Sequence, residues 1–413
     1  MNFTKKFIPG PVLDFLRPIY HRLFSVLSVV FYGRPSREMV VVGITGTNGK
    51  TSVVEYITQI LREAGIKTAS VSSLYFRIGD EAEKNTLKMT MPGRFFLQKF
   101  LRRALKAGCT HAVLEITSEG IRQFRHKNID WDVLVLTNIT PEHIESHGSF
   151  ENYRKAKEKV FAELSKTYCK SDVAKTFIIN GDDPAAPEFL KYEADKKIIY
   201  SKKDAPRELK LLGEFNLYNI AAAVKTAQAL GIPQEVITKA VEKIEGVPGR
   251  MEFVQREPFV VVVDYAHTPD ALRKVYETLR PPASGRLICV LGSAGGGRDK
   301  WKRPEMGKIA SEFCQEIILT NEDPYDEKPE VIIEDIFGGI AGIRSPGILG
   351  SNPGVLEIID RKEAIKKAIS DAKTGDVVVI TGKGAEPWIM GPGGTKTPWD
   401  DREIAREALK NKE

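Results

Sequence analysis

The sequence predicts an α/β protein: a central doubly wound parallel-sheet domain carrying a P-loop-like turn, followed by a C-terminal Rossmann-like α/β domain. Three observations predict it. The runs "VVVGIT", "HAVLEIT", "VLVLTNI" and "KTFIIN" alternate with helical patterns such as "FLQKFLRRALKAG", and βα alternation calls for a parallel sheet covered on both faces. A glycine-rich turn, "TGTNGKTS", joins the first of these strands to its helix. Finally, "EGVPGR" (Glu245 to Arg250) interrupts the pattern, which restarts as "FVVVVDYA", "RLICVLGSAGGG", "EIILTNEDP" and "DVVVITGKG", strands that end in glycine or acidic loops. The boundaries that follow are a short apolar and basic segment over residues 1–38, a central domain over 39–246 and a C-terminal domain over 247–413. A chain of 413 residues suits about two or three domains.

The N-terminal segment differs from the rest. "IYHRLFSVLSVVFY", Ile19 to Tyr32, is apolar and aromatic, with His21 and Arg22 near its start and Lys5, Lys6, Arg17 and Arg34 around it. It is shorter than the roughly 20 residues a spanning helix needs, and no small-residue cleavage site follows it. Two readings stay open: a helix packed on the protein's own core, or an interfacial helix giving peripheral membrane contact through residues 7–33.

Charge and cysteine content narrow the class. A net charge of +6 over this length is mild, which argues against nucleic acid as a partner and is compatible with anionic substrates. Cys109, Cys169, Cys289 and Cys314 lack metal-site spacing, and the expectation is four free, mostly buried thiols in a cytoplasmic protein.

The turn from Gly46 to Ser52 is the strongest local signal. Glycines flanking Thr47 and Asn48 let main-chain N–H groups face one concavity, and the helix behind adds its positive end, an arrangement that suits phosphate. Lys50 supplies a cation and Thr51 a hydroxyl for Mg²⁺. The strict P-loop spacing would place glycine at position 44; here Ile44 stands there and Gly43 precedes it. Glu115 ends "AVLE" and His143 follows "VLVLTNIT", so a carboxylate and an imidazole at neighbouring strand ends could complete a hard-cation site.

In order along the chain, "TGTNGKTS", "LEITSEG", "TNITPEHIESHGSFENYRKAKEKVF", "GEFNLYNIAAAV", "GRME", "VDYAHTPDAL", "GSAGGGRDKWKRPEMG" and "GKGAE" resemble the Mur ligases, most of all the type that adds the third residue of the wall peptide. The resemblance runs from about Val40 to Trp388. It implies an ATP-dependent amide ligase in peptidoglycan precursor synthesis. The D-glutamate carboxylate of a muramoyl dipeptide would take the γ-phosphoryl group of ATP, and the amine of a free amino acid would then displace phosphate. Carried over by residue, Thr51, Glu115 and His143 would hold Mg²⁺, and Lys157 would carry a CO₂-derived carbamate helping a second Mg²⁺. Lys50, Lys157, His143 and Glu115 would form the catalytic set. Gly46, Thr47, Asn48, Gly49, Lys50, Thr51 and Ser52, with Asn216 and Asn219, would meet the nucleotide, joined by Arg250, Asp264, Tyr265 and His267. On the substrate side stand Thr90, Thr117, Ser118, Arg298, Asp323, Tyr325 and Glu386. The expected assembly is a monomer.

Three departures from the family pattern qualify the substrate. Residues 1–38 stand where the family has a uridine-nucleotide-gripping domain, so a lipid-linked muramoyl peptide becomes an alternative. The family's D-N-P-R segment reads "EDPY", Glu322 to Tyr325, which removes the arginine that would pair with a distal carboxylate and favours lysine or ornithine over meso-diaminopimelate, with Asp323 as the counter-charge. Two family histidines are replaced by Glu119 and Ala385. Other readings are a relative acting on another acid, such as a folylpolyglutamate synthase or lipid II amidotransferase subunit, and a non-catalytic nucleotide-binding scaffold of the wall machinery.

Overall fold

In the computed structural model the first strand, β1 (Val40–Thr45), runs buried from Val41 onward between two parallel neighbours. The structure describes residues 10–340 and 354–412, with the backbone alone for 10–19. Lys5, Lys6 and residues 7–9 of the expected membrane-contact segment lie outside the described residues, as does the side chain of Arg17. The chain divides into two units. One holds Glu151–Leu209, Asn216–Ile244 and the chain up to Ile139; the other holds Thr140–Phe150, Lys210–Phe215 and the chain from Glu245.

The first unit is built on eight strands. After β1 come β2 (Thr68–Val71), β3 (Tyr75–Ile78), β4 (Glu81–Lys84), β5 (His111–Glu115), β6 (Val133–Leu136), β7 (Thr176–Asn180) and β8 (Lys196–Tyr200), in the spatial order β4-β3-β2-β5-β1-β6-β7-β8. All pairs from β2 to β8 are parallel, and β3 and β4 append an antiparallel edge. The chain works outward from β1 on one side, then reverses to the other through β6. The crevice at such a reversal, beyond the carboxyl ends of the strands, is where open α/β sheets bind ligands. Gly43 sits inside β1, and a Cβ there would come within 2.9 Å of Ile116, Leu134 and Trp131. Gly43 is thus a packing residue, and the loop proper starts at Gly46; this accounts for the shifted glycine spacing.

Asp132, with no solvent exposure, ties this unit together at the start of β6. Its carboxylate accepts from the Val41 N–H at 2.8 Å and from Lys175 Nζ at 3.1 Å, and it pairs with Lys170 as well. Removing one partner of a buried ion cluster strands the others. Asp132→Ala is therefore expected to destabilise the protein by about 3–5 kcal/mol, read as a lowered midpoint in urea denaturation; an unchanged midpoint would refute the role.

The second unit repeats the principle with six strands: β9 (Glu252–Gln255), β10 (Val260–Val263), β11 (Leu287–Leu291), β12 (Glu316–Leu319), β13 (Gly354–Glu357) and β14 (Val377–Ile380), ordered β13-β12-β11-β14-β10-β9. Only β9 is antiparallel. A hairpin of β15 (Trp388–Met390) and β16 (Lys396–Pro398) follows. The all-apolar strands "LICVL" and "VVVI" are buried throughout, as parallel strands covered on both faces must be. One expectation is corrected here. Cys289 in β11 and Cys314, just past the helix Lys302–Phe313, form a disulfide, whereas Cys109 and Cys169 are free, the first buried and the second exposed. The helix brings the two Cα atoms to 6.2 Å across 25 residues of sequence, a proximity that spacing does not encode.

The N-terminal helix Gly10–Tyr32 packs on the helix Arg94–Lys106 through Phe24, Phe31 and Tyr32, whose rings surround Phe95. Among the described residues no helix is long and apolar enough to cross a membrane.

Candidate functional site

At the carboxyl end of β1 the chain makes a four-residue loop, Gly46 to Gly49, and enters the helix Lys50–Glu63. Gly49 sits at the helix N-cap with φ of 82°, and a Cβ there would lie 2.2 Å from Asn219 Oδ1. Both the left-handed backbone and the contact require glycine. The loop is held from β6. Thr47 N donates to the Asn138 carbonyl at 2.8 Å, Asn48 N to Asn138 Oδ1 at 2.9 Å, and Thr137 Oγ1 to the Asn48 carbonyl at 2.7 Å. Two loop amides expected to face a phosphate therefore point at Asn138, which leaves the first turn of the helix, Lys50 to Ser52, as the main source of outward N–H groups. Lys50 Nζ lies over its own loop, 2.8 Å from the Thr47 carbonyl and 3.9 Å from Glu115 Oε1.

Thr51 and Glu115 meet directly. Thr51 Oγ1 lies 2.9 Å from Glu115 Oε2 and 2.6 Å from Ser73 Oγ, and the Ser73 N–H donates to the same carboxylate oxygen at 3.1 Å. These are hard oxygen donors at the ends of β2, β5 and the loop, the chemistry Mg²⁺ prefers. Among the described residues no group of three or more His, Cys, Asp or Glu side chains could form a metal centre by itself. A site of one carboxylate and one hydroxyl fits magnesium, which is commonly completed by substrate phosphates and water.

Lys157, on the helix Phe150–Leu164, is buried against this loop. Its Nζ donates to the Gly46 carbonyl at 2.7 Å and lies 4.9 Å from the centre of the Tyr153 ring. Burial first, and then the charge of Lys50, hold its amine well below the usual lysine range. Protonated, it is a donor only and ligates nothing; unprotonated, it carries a lone pair that can attack an electrophile. Asn216 and Asn219 lie inside the helix Glu214–Ala229, both buried, with Asn219 Nδ2 3.3 Å from Asn216 Oδ1.

Two residues past Glu115, Thr117 caps the short helix Ser118–Arg122, accepting from the Gly120 N–H at 3.0 Å. Ser118 is buried behind it, and Gly120 adjoins the Met91 sulfur. Met91 is a core residue, with its carbonyl held by Arg125. Thr90 is half-buried in the preceding turn. Glu119, where the family pattern has a histidine, is half-buried and pairs with Arg122 at 3.1 Å.

The remaining expected residues belong to the second unit, His143 among them. His143 has φ of 55° and immediately precedes the helix Ile144–His147, whose first amides donate to Asp299 at 3.1 and 3.0 Å. Beside it the buried pair Glu142 and Lys302 meet at 2.9 Å. The structure thus gathers Thr51, Glu115 and Lys157 in one unit and seats His143 in the other.

After β10, Asp264 uses both carboxylate oxygens on main chain, accepting from Met251 N and Ala266 N at 2.6 Å each. It braces the turn that presents its neighbours. Arg250 lies over the Tyr265 ring at 3.9 Å, and Tyr265 OH donates to Glu386 Oε1 at 3.1 Å. His267 Nδ1 faces the Tyr265 carbonyl at 2.8 Å; burial, then the charge of Lys302, push its pKa down to about 3. The ring is neutral, with Nε2 left as acceptor.

Glu386 also meets Lys383, a fully buried lysine, at 2.6 Å, and Lys383 binds Asp323 at 2.8 Å. Asp323 accepts in addition from the Met390 N–H at 2.8 Å. Its carboxylate is thus also paired within the protein, to a lysine shared with Glu386. Tyr325 has φ of 52°, and its N–H donates to the Met390 carbonyl at 3.0 Å. Arg298 is exposed in the glycine-rich loop after β11.

With both constellations in view, comparison with known proteins is informative. Residues 44–208 match the Mur ligase middle domain, and residues 249–384 match the Mur ligase, glutamate ligase domain. The UDP-N-acetylmuramoyl-L-alanyl-D-glutamate--2,6-diaminopimelate ligase of Halalkalibacterium halodurans is 35% identical over 95% of this chain and 82% of that protein. The chain belongs to the Mur ligase family. The Aquifex aeolicus protein of the same name is 37% identical over 92% of this chain and 79% of its own. A solved structure of a ligase so named superimposes with a TM-score of 0.58 at 31% identity, covering 90% of this chain and 78% of that one. Mycobacterium tuberculosis folylpolyglutamate synthase shares the fold, with a TM-score of 0.68 at 17% identity over 87% and 91% of the two chains.

Sequence reasoning about this Mur ligase missed three residues of these sites. Ser73 lies two residues past β2, beyond the carboxyl end of a parallel strand, a position that could have singled it out. Asn138 stands inside a motif already noted but shows its role only through the loop it grips. Lys383 reads as an ordinary basic residue until its burial is seen.

Proposed function

We propose that this chain is an ATP-dependent amide ligase that adds an amino acid to the D-glutamate carboxylate of a muramoyl dipeptide through an acyl phosphate, in peptidoglycan precursor synthesis. The observation that carries this is near-full-length identity of 35% to ligases named for that reaction, together with the glycine loop, Lys50, Thr51 and Glu115 at one strand-end crevice. A carboxylate oxygen would attack the γ-phosphorus, and ADP would leave. The amine would then attack the acyl carbon, phosphate would leave, and the amine proton would pass to solvent. The difficulty is the approach of two anions. Lys50 answers it by swinging its cation from the Thr47 carbonyl to the triphosphate, and the helix end adds its N–H groups. Magnesium, held by Thr51 and Glu115 when bound, supplies further charge neutralisation.

Finer assignments belong to the same proposal. Lys157 is read as the site of a CO₂-derived carbamate: burial lowers the basicity of its amine, which favours the unprotonated form that attacks CO₂. His143 is read as a further magnesium ligand. Asn216 and Asn219 are assigned to the nucleotide, with Arg250, Tyr265 and His267 from the second unit and Asp264 as their brace. Thr90, Thr117, Ser118 and Arg298 are assigned to the muramoyl substrate, and Glu386 and Tyr325 to the incoming amino acid. That amino acid is taken to be a diamino acid, the class of the relatives' 2,6-diaminopimelate. Tyr325 in place of a guanidinium favours members lacking a distal carboxylate, lysine and ornithine.

The test is ADP release by the purified protein with ATP, Mg²⁺, UDP-linked or lipid-linked muramoyl dipeptide, and each of meso-diaminopimelate, lysine and ornithine. Release that requires both dipeptide and amino acid, with a product heavier by the amino acid less water, is the expected result. ADP release independent of the dipeptide, or none with any pair, would defeat the proposal. Exclusive use of meso-diaminopimelate would overturn the amino acid preference alone.

A further inference from the structure

The helix Gly10–Tyr32 leaves an apolar side exposed along its described part. The side toward the protein carries Ser25, Ser28 and Val29, all buried, with Phe24 against Phe95. Ser25 Oγ accepts from Asn128 Nδ2 at 2.8 Å and donates to the Lys127 carbonyl at 3.3 Å, and Ser28 Oγ donates to the Ser25 carbonyl at 2.8 Å. Arg102 clamps the helix end by donating to the Tyr32 and Gly33 carbonyls at 2.7 and 2.8 Å. The opposite side carries Tyr20, Leu23, Val26, Leu27, Val30 and Phe31, from 37% to 75% exposed. Steps of three and four residues place these six on one stripe. A contiguous apolar stripe of this kind on an outer helix marks an interaction surface.

The stripe's rim decides what it meets. Arg22 borders it on the same helix and Arg34 follows its end, while Lys99 and Arg103 are exposed on the helix Arg94–Lys106, one and two turns beyond Phe95. Among the described residues none of these four cations has an acidic partner, and the nearby Glu38 is taken by Arg102 at 3.2 Å. A second copy docked across a two-fold axis would set this basic rim against itself, a like-charge arrangement that disfavours self-association. Anionic headgroups beside acyl chains complement both parts of the patch. Since no described helix could span a bilayer, the helix would lie along its surface.

We propose that this face docks the protein on an anionic phospholipid surface, with Leu23, Val26, Val30 and Phe31 entering the acyl boundary and Arg22, Arg34, Lys99 and Arg103 meeting the headgroups. The inference is independent of the ligase reaction, which needs no bilayer.

The experiment is flotation of the full chain with vesicles of equimolar phosphatidylcholine and phosphatidylglycerol and with phosphatidylcholine alone. The parent protein is expected to float with the anionic vesicles, and to partition at least ~10-fold less onto neutral ones or in high salt. The double substitution Leu23→Asp with Val30→Asp is expected to lower partition by at least ~10-fold, while its thermal unfolding midpoint matches the parent's because both side chains already face water. Lys99→Glu with Arg103→Glu should weaken anionic binding and leave neutral binding unchanged. A parent protein that stays with the dense fraction overturns the proposal, as does a double variant that floats equally well. A dimer seen by light scattering, dissolved by the same variant and unaccompanied by flotation, would assign the face to a second copy and equally overturn it.

Discussion

Lys157→Ala is expected to lower ligase turnover by at least ~10²-fold, with part of the loss restored by millimolar formate or acetate. The side chain is buried beside the loop, 2.7 Å from the Gly46 carbonyl, and within electrostatic reach of Lys50 and Glu115. As a cation there it would oppose Lys50. On the proposed carbamate reading, CO₂ would add with an N–C bond replacing an N–H bond and a proton released, and the site would gain an anion with two oxygens. Alanine removes this group and leaves a space that a small carboxylate can enter. If Lys157 only brings the loop and helix together, Lys157→Ala would lower stability and activity, and no carboxylate would restore either. Rescue therefore separates the two roles, and turnover that falls in CO₂-depleted buffer for the parent alone would support the first.

Lys50→Ala is expected to reduce kcat/KM for ATP by roughly 10³-fold, with the unfolding midpoint little changed. Lys50 is a half-buried cation with Nζ 2.8 Å from the Thr47 carbonyl and 3.9 Å from Glu115 Oε1. The encounter of a carboxylate with a triphosphate loses its mobile counter-charge. Lys50→Arg should restore binding better than turnover, because a planar fork on a different stem keeps the charge but misplaces it relative to a transferring phosphoryl group. Steady-state kinetics with ADP release as readout would test this. Activity within a few-fold of the parent for Lys50→Ala would remove the charge-neutralisation account of the loop.

Much of the site was legible because parallel α/β sheets place ligand-binding residues at the carboxyl ends of strands. Val40–Thr45 announced itself as a buried strand by composition, and the loop after it by glycine; the structure gives the same strand bounds. Less legible were the short edge strands. "EAEK", β4, is fully exposed and without apolar alternation, and its pairing with β3 is visible only in three dimensions. Gly43 read as the first glycine of a phosphate loop, yet its role is to let Ile116, Leu134 and Trp131 close on β1, contacts that bring together residues some 70 to 90 positions away. Asp323 looked like a free carboxylate, because nothing in "NEDPY" indicates that Lys383, 60 residues on, reaches it inside the protein.

The sequence by itself determined the class of fold, the nucleotide loop and the kinship of the chain, since these rest on local periodicity and on short motifs whose chemistry depends on residues close together. The tertiary structure alone decided which partners neutralise Asp132 and Asp323, which amides of the loop Asn138 occupies, which two cysteines join, and which face of the N-terminal helix is left in water. Each of these turns on side chains distant in sequence meeting in a medium of low polarity, where an unpaired charge or donor is costly and the fold as a whole selects its partner.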